Sequence, residues 1–386
     1  MENRSSALRE FLPSISVLFA ALLLASCQDP GIEGMAVVDN AQVEDPDYTF
    51  GFVLPMTGAS SFYGQFAKAG IDLAVEDVNK AGGINGKDLT AVYEDTRGDK
   101  SQAANAGMKL ADVDRVDALF TQLVTGAGVI APIGEEYRIP TIYHAYVLSF
   151  AVNKTYVFQE TSDANLLCDD LMRHAIREGN ERVAMFGSNA EFTQVCRVAA
   201  EKVAPLAAYE TYDAGENDYR AQFTKIAASR STALFIPVFT TECDNVFKQI
   251  SELDLGLDLY IPFYSLSCGS NQHVVKNRDS IEGAYGSDVD VGEDGKGALF
   301  DGFRKRLYDR ALDINLRGSA LWYDSVVMMA RSYEGCDNAR CAADNLRSMN
   351  FTGVSGEATY GGDQFVDRDV LLAKFREGKW ERVDNE

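Results

Sequence analysis

The chain has 386 residues, 46% of them hydrophobic and 24% charged, the make-up of an ordinary globular protein. Its formal charge of −22, from 58 acids against 36 bases, argues against nucleic acid as a partner and against lying flat on anionic lipid. The acids do not by themselves imply a cationic ligand, since charges scattered over a surface are ordinarily a solvated face.

The first segment is a secretion signal in layout. Arg4 and Arg9 lead into an apolar run from Val17 to Leu24, followed by small residues and Cys27. The run is much shorter than the roughly 20 apolar residues that span a bilayer. Its Leu24-Ala25-Ser26-Cys27 ending resembles the lipobox of bacterial lipoproteins, which implies removal of residues 1–26 and a lipid on Cys27. An ordinary cleaved signal with a chance cysteine is the plainer alternative. Residues 27–46 carry glycines, acids and little periodicity, and read as a tether. What remains is too long for one compact core and suits two domains.

From residue 48 onward strand and helix patterns alternate, which predicts an α/β fold with mainly parallel sheets. Strands are expected at 48–54, 89–94, 117–121 and 139–143. Helices are expected at 102–113, at 126–137, and from Phe62 to Val78, where Phe62, Phe66, Gly70, Leu73, Ala74 and Val78 share one face. Asn79-Lys80-Ala81-Gly82-Gly83 stops that helix, since glycine accepts the left-handed C-terminal position. A second series follows, with helices at 164–178, 192–203, 219–228 and 241–253 between strands at 182–186, 209–212, 233–238 and 259–264. Segment 281–285 completes a second sheet. Two amphipathic helices, 297–312 and 318–333, come next; Trp322, Val326, Met329 and Tyr333 share a face of the latter. The tail reads as short strands.

Two segments imitate nucleotide motifs and fail. Gly126-Ala127-Gly128-Val129-Ile130-Ala131 follows a strand and opens a helix, yet the acid needed about 20 positions on to hold a ribose is absent near Tyr146. Ala81-Gly82-Gly83-Ile84-Asn85-Gly86-Lys87-Asp88 lacks the first glycine and final hydroxyl of a phosphate loop, and is better explained as a helix stop and tight turn. No Gly-x-Ser-x-Gly elbow or His-Glu-x-x-His occurs. The three histidines, His144, His174 and His273, lie far apart. No catalytic residue, metal site or cofactor is therefore expected, and the chain reads as a non-enzyme. The binding chemistry sits in loops at strand ends. Thr57 to Gly64 supplies hydroxyls and the aromatics Phe62 and Tyr63 ahead of one helix N-terminus, and Thr125 precedes another. Such termini offer unpaired N–H groups suited to a carboxylate. A plain N-cap is the bland alternative for each hydroxyl.

At these residues the chain resembles the leucine/isoleucine/valine-binding proteins, type I solute-binding proteins of ABC importers. The matching stretches are Gly51-Phe52-Val53-Leu54-Pro55-Met56-Thr57-Gly58, the run Val78 to Lys87, Tyr93-Glu94-Asp95-Thr96, Thr125-Gly126 ahead of Ala131-Pro132-Ile133, Ile139-Pro140-Thr141, and Thr161-Ser162-Asp163. The resemblance implies a type I periplasmic binding protein fold: two doubly wound α/β lobes joined by a three-strand hinge. Lobe 1 would comprise 48–160 and 288–350, and lobe 2 would comprise 161–287 and 351–386. By position, Thr125 would hold a ligand carboxylate, together with Thr57 and Ser61. Ala145 and Tyr146 would meet the ligand through the main chain, and Phe62 or Tyr63 with Phe192 and Phe239 would wall its body. The carboxylate that often pairs with a ligand ammonium is missing from Ser265-Leu266-Ser267-Cys268-Gly269, so Glu242 or Asp163 would replace it.

The expected function is a lipid-anchored, extracytoplasmic receptor that captures a branched-chain or other apolar amino acid by lobe closure and passes it to permease subunits. Three alternatives stand beside it: a receptor for a short amide, urea or aromatic carboxylate, a sensor signalling through a partner, and an exported hydrolase, which the lack of a nucleophile–base pair in the cleft loops disfavours. The cysteines other than Cys27 are even in number, which in an exported protein reads as disulfides. The expected pairs are Cys336 with Cys341, Cys243 with Cys268, and Cys168 with Cys196.

Overall fold

The computed structural model describes residues 47–161, 163–213, 215–238, 242–264, 276–291, 298–310 and 315–383. Cys27, the tether, Phe239 and Cys268 lie outside the described residues. The chain opens with strands β1 (Tyr48–Leu54), β2 (Leu89–Asp95), β3 (Ala118–Gln122), β4 (Thr141–His144) and β5 (Val157–Gln159). Between them run helices α1 (Ser61–Lys80), α2 (Lys100–Met108) and α3 (Leu123–Tyr137). The five strands form one parallel sheet in the order β2-β1-β3-β4-β5. Covered by helices on both faces, its central strands are continuous apolar runs, with Phe50, Phe52, Leu54, Leu119 and Phe120 fully buried. The helix expected over 102–113 is α-helical only to Met108, then widens into a π turn, Lys109–Val113.

The second series is α4 (Ala164–Arg177), β6 (Val183–Ser188), α5 (Glu191–Val203), β7 (Ala208–Tyr212), α6 (Arg220–Ala228), β8 (Ala233–Phe235), α7 (Cys243–Glu252), β9 (Asp258–Pro262) and β10 (Tyr285–Val289). Then come α8 (Ala298–Asp309), α9 (Leu316–Ser332), α10 (Ala339–Arg347), the hairpin β11 (Asn350–Gly353) and β12 (Gly356–Thr359), and strands β13 (Val370–Arg376) and β14 (Lys379–Arg382). The second sheet runs β14-β13-β10-β9-β8-β6-β7, parallel except where β13 pairs with β10 and β14. The strand expected at 281–285 begins at Tyr285. Together the two sheets give the two-lobed, doubly wound α/β architecture.

Helix α9 packs back on the first sheet. Trp322, Val326 and Met329 share one core with Phe50, Phe52 and Phe120, and so do Phe351, Ala358, Tyr360 and Val366 from the hairpin and beyond. The approach of α9 to α1 is close. A Cβ on Gly70 would lie 2.1 Å from the Ser319 carbonyl oxygen, and one on Gly318 would lie 2.5 Å from the Phe66 ring. Asn315 caps α9 by accepting from the Gly318 N–H at 2.6 Å.

The chain passes between the sheets after β5, after β10 and before β13. Polar contacts tie these passages together. Glu160 pairs with Arg368, Asp290 pairs with Arg382, and the Asp290 N–H donates to the Asp369 carbonyl at 2.9 Å. Two expected disulfides are present. Cys168–Cys196 joins α4 to α5 with Cα atoms 5.2 Å apart, and Cys336–Cys341 closes the α9–α10 connection at 5.6 Å.

Candidate functional site

Three parallel strands of the first sheet, β1, β3 and β4, end on one side, and the loops that leave them meet α9 and α5 around a cavity of about 250 Å³. The loop after β1 and the first turns of α1 contribute Ala59, Ser60, Tyr63 and Phe66. Gln122, Leu123 and Val124 come from the β3–α3 junction, His144, Ala145 and Tyr146 from the end of β4, and Thr161 from beyond β5. Phe192 opens α5, and Gly318, Leu321 and Trp322 lie on α9. This placement outside the carboxyl ends of parallel strands is where α/β sheets bind ligands.

The walls are mostly aromatic. Tyr63 and Phe66 meet edge to face at 5.9 Å between centroids, while Tyr146 packs on Phe192 at 5.2 Å and on Phe263 at 3.9 Å. Leu123 turns the chain from strand into helix with φ at +65°, a left-handed conformation that costs a bulky residue roughly 1–3 kcal/mol and often marks a functional site. Among the described residues lining the cavity none is an aspartate, glutamate, lysine or arginine.

Two buried lining residues carry polar atoms with no partner among the described residues: Gln122 Oε1 and Trp322 Nε1. An unmade hydrogen bond on a buried group costs about 1–3 kcal/mol, so a ligand oxygen accepting from the indole N–H would recover that energy. His144 stacks flat on Trp322, centroids 4.0 Å apart at 18°. Its Nε2 lies 2.9 Å from Ser325 Oγ and its Nδ1 lies 3.7 Å from Glu160 Oε2. Burial and the nearby Arg368 guanidinium push the imidazole pKa down to about 3, so His144 is neutral. Burial also lifts the Tyr146 phenol well above its ordinary range, helped by Tyr63 and Asp288. Among the described residues no group of three His, Cys, Asp or Glu is placed to hold a metal.

A family model described as periplasmic binding protein matches residues 47–379. The chain belongs to that family of solute-binding proteins. The family is extracytoplasmic, and among the described residues no helix is long and apolar enough to cross a membrane. An amino acid binding protein of Pseudomonas aeruginosa is 24% identical to this periplasmic binding protein over 87% of this chain and 92% of its own. The leucine-, isoleucine-, valine-, threonine- and alanine-binding protein of the same organism is also 24% identical, over 78% and 82%. In three dimensions the chain resembles the substrate-binding protein LivJ of Streptococcus pneumoniae, solved with isoleucine, at a TM-score of 0.79 and 20% identity, covering 88% of this chain and 99% of that one. A solute-binding protein of R. palustris solved with benzoate gives 0.75 at 15% identity, covering 88% and 96%. The resemblance to leucine/isoleucine/valine-binding proteins read from the sequence holds at the level of family and fold.

Of the residues singled out in the sequence, this periplasmic binding protein brings Tyr63, Ala145, Tyr146 and Phe192 together around the cavity. The others lie elsewhere. Thr57 is exposed and its hydroxyl donates to Asp95 Oδ2 at 2.5 Å. Burial raises the Asp95 pKa, but hydrogen bonds from Thr57, Arg97 and Met56 outweigh it and hold the carboxyl below its ordinary value. Ser61 is the first residue of α1, and Phe62 packs edge to face on Phe66. Thr125 is exposed on the first turn of α3, which begins three residues earlier than a helix capped by Thr125 would. Asp163 caps α4, accepting from the Asn165 N–H at 2.9 Å, and Glu242 precedes α7. The Ala145 carbonyl, expected to meet a ligand, accepts from Thr161 Oγ1 at 3.1 Å and from Gln159 Nε2 at 3.2 Å. Gln122, His144, Thr161 and Trp322 line the cavity without having been singled out as site residues. Thr161 had left a signal in the stretch Thr161-Ser162-Asp163, and Trp322 as a polar-tipped aromatic on the stripe it shares with Val326, Met329 and Tyr333.

Proposed function

We propose that this periplasmic binding protein is the receptor component of an ABC importer, anchored by lipid on Cys27, and that it captures a small apolar carboxylate in the cavity between Tyr63, Tyr146, Phe192 and Trp322. The observation that carries the reading is the cavity itself. It is apolar and aromatic, sized for a small solute, and bordered by the unpartnered indole N–H of a buried tryptophan. Named relatives that bind branched-chain amino acids support an amino acid with an aliphatic body. A second reading, an aromatic carboxylate, is favoured by the uncharged described lining, which offers no partner for an ammonium; relatives solved with benzoate and 4-hydroxybenzoate support it. No catalytic role is assigned to any lining residue, and the protein is read as a non-enzyme.

The two lobes would close over the solute, with passages near Glu160, Asp290 and Arg368 acting as the hinge. The third passage is placed after Val366, because Phe351 to Val366 packs with the first core. A thermal-shift panel of leucine, isoleucine, phenylalanine, benzoate, 4-hydroxybenzoate, benzamide and urea tests the reading. A bound solute at a hundredfold excess over its dissociation constant stabilises the native state by about 2.7 kcal/mol. Stabilisation by at least one of the carboxylates is expected. Stabilisation by benzamide or urea alone would move the function to neutral amides, and no shift with any solute would remove this solute class.

A further inference from the structure

A second cavity, of about 390 Å³, lies where the chain passes between the sheets after β5 and before β13. Its lining comes from Leu148 after β4, Gln159 at the end of β5, Asp163 and Leu166 at the start of α4, and residues of segment 359–368. It shares no described lining residue with the solute cavity. The Gln159 N–H donates to the Gln364 carbonyl at 2.8 Å and the Val366 N–H to the Gln159 carbonyl at 3.2 Å, which holds the segment beside β5. Val366 packs with the first core, whereas Ala164 and Leu167 of α4 pack with that of the second sheet, so the cavity borders both bodies.

Its inner wall is polar and incompletely bonded. Gln159, Tyr360 and Arg368 are each at most 4% exposed. The Gln159 Nε2 donates to the carbonyls of Ala145, at 3.2 Å, and of Thr161. Carbonyl oxygens only accept, so the amide cannot be turned over, and its Oε1 is left without a partner among the described residues. Arg368 donates from Nη2 to Glu160 and from Nη1 to the Ser355 hydroxyl at 3.0 Å, while its Nε–H has no such partner. The Tyr360 hydroxyl has none either. One acceptor, one donor and one group that can be both are thus left unsatisfied on residues lining a single cavity, and a buried polar group in that condition is costly.

The rim is acidic. Asp363 and Asp367 are exposed and Asp163 is half-buried. Asp163 accepts from the Asn165 N–H at 2.9 Å and Asp363 from the Phe365 N–H at 2.8 Å, each through Oδ1 alone. None of the three carboxylates is paired with a described base. Arg368, the one base in the described lining, already meets Glu160. The lining therefore repels anions and favours a cation. Among the described residues the carboxylates are not grouped to hold a metal ion. Leu148, Leu166 and Phe365 add apolar surface, which suits an organic cation with a short carbon chain.

We propose that this second cavity binds a small amino alcohol. Its ammonium lies against the rim carboxylates, its methylenes lie against Leu148, Leu166 and Phe365, and its hydroxyl meets the inner wall directly or through one water. A hydroxyl both donates and accepts, as the unsatisfied set requires. A carboxylate there would face Glu160 with the charge of Arg368 already taken up, and an ammonium there would face Arg368 itself. Asp163, expected from the sequence to pair with the ammonium of the captured solute, thus meets an ammonium in a different cavity.

The test is calorimetry of 4-aminobutanol, butylamine and butanol against the full chain at about pH 7.5, where the amines are protonated and the rim carboxylates ionised. Phosphate is the buffer, because Tris is itself an amino alcohol. Aminobutanol is expected to bind, butylamine to bind more weakly and butanol not at all, with the affinity for aminobutanol falling as salt is added. Asp363→Asn and Asp367→Asn, at exposed loop positions, are each expected to weaken aminobutanol about two- to fivefold. Leu166 is exposed on the first turn of α4, and Leu166→Lys, which sets a cation at the rim, is expected to abolish binding without disturbing the fold. Absence of aminobutanol binding overturns the site. Binding that Leu166→Lys and both aspartate variants leave unchanged places the amine elsewhere and overturns it too. Butanol bound as tightly as aminobutanol overturns the cation, and butylamine bound as tightly overturns the role of the hydroxyl and with it the amino alcohol.

Discussion

Arg368 is only 4% exposed, yet its guanidinium meets Glu160, the Ser355 hydroxyl and the Ser355 carbonyl, while the Asp324 carboxylate lies within its field. A buried pair of this kind adds little net stability compared with an apolar replacement of both partners, but removing one partner strands the other charge and costs about 3–5 kcal/mol. Glu160 softens that cost when it can take a proton. Arg368→Met is therefore expected to destabilise by up to about 3–5 kcal/mol at a pH well above 7, where wild-type Glu160 is ionised and the variant must bury it unpaired or hold a proton on it, and by less near pH 5.5, where it is neutral. Urea unfolding at the two pH values measures the difference. An equal loss at both would show that Glu160 keeps its charge without its partner.

Among the helices, α1 and α9 pack on each other beside the cavity, to which they contribute Phe66 and Trp322. Gly70 and Gly318 let the two axes approach, and the Ser319 hydroxyl donates to the Phe66 carbonyl at 2.9 Å across the contact. Gly70→Ala drives a methyl into backbone, which cannot yield as a flexible side chain would, and is expected to cost about 1–3 kcal/mol in thermal or urea unfolding. Wild-type stability in that variant would mean that the helices sit farther apart. The same pair shows how far the sequence could be read. The α1 stripe and its glycine stop are local signals, and the helix expected from Phe62 to Val78 spans Ser61–Lys80. Tyr63, Tyr146 and Phe192 were legible for a similar reason, being aromatics in loops or first turns at strand ends. His144 and Ser325 are 181 positions apart, and no periodicity announces that they touch. Trp322 was read as core because an apolar stripe looks the same whether it faces a sheet or a cavity. Thr125 was placed ahead of a helix that in fact starts at Leu123, an offset small enough to lie within ordinary boundary uncertainty yet large enough to move a hydroxyl from cap to exposed face.

At the scale of the molecule, two sheets with separate cores are joined by three passages, and charged side chains buried or half-buried at those passages bind them to one another. Such an arrangement confines motion to a few hinge residues while each sheet stays rigid. The cavity joins the strand ends of the first sheet to Phe192 at the start of α5, which packs with the second, so a solute filling it contacts both bodies at once. Its binding energy is the only term needed to favour closure, provided the closed form binds it better than the open one. A crystal structure with the tightest-binding solute of the thermal-shift panel tests this account most directly. The account predicts solute density between Tyr63, Tyr146 and Phe192, with a carboxylate oxygen within hydrogen-bond reach of Trp322 Nε1. Density seated instead on the exposed face of Thr125 and Thr57, with the cavity filled by rearranged side chains, would contradict it.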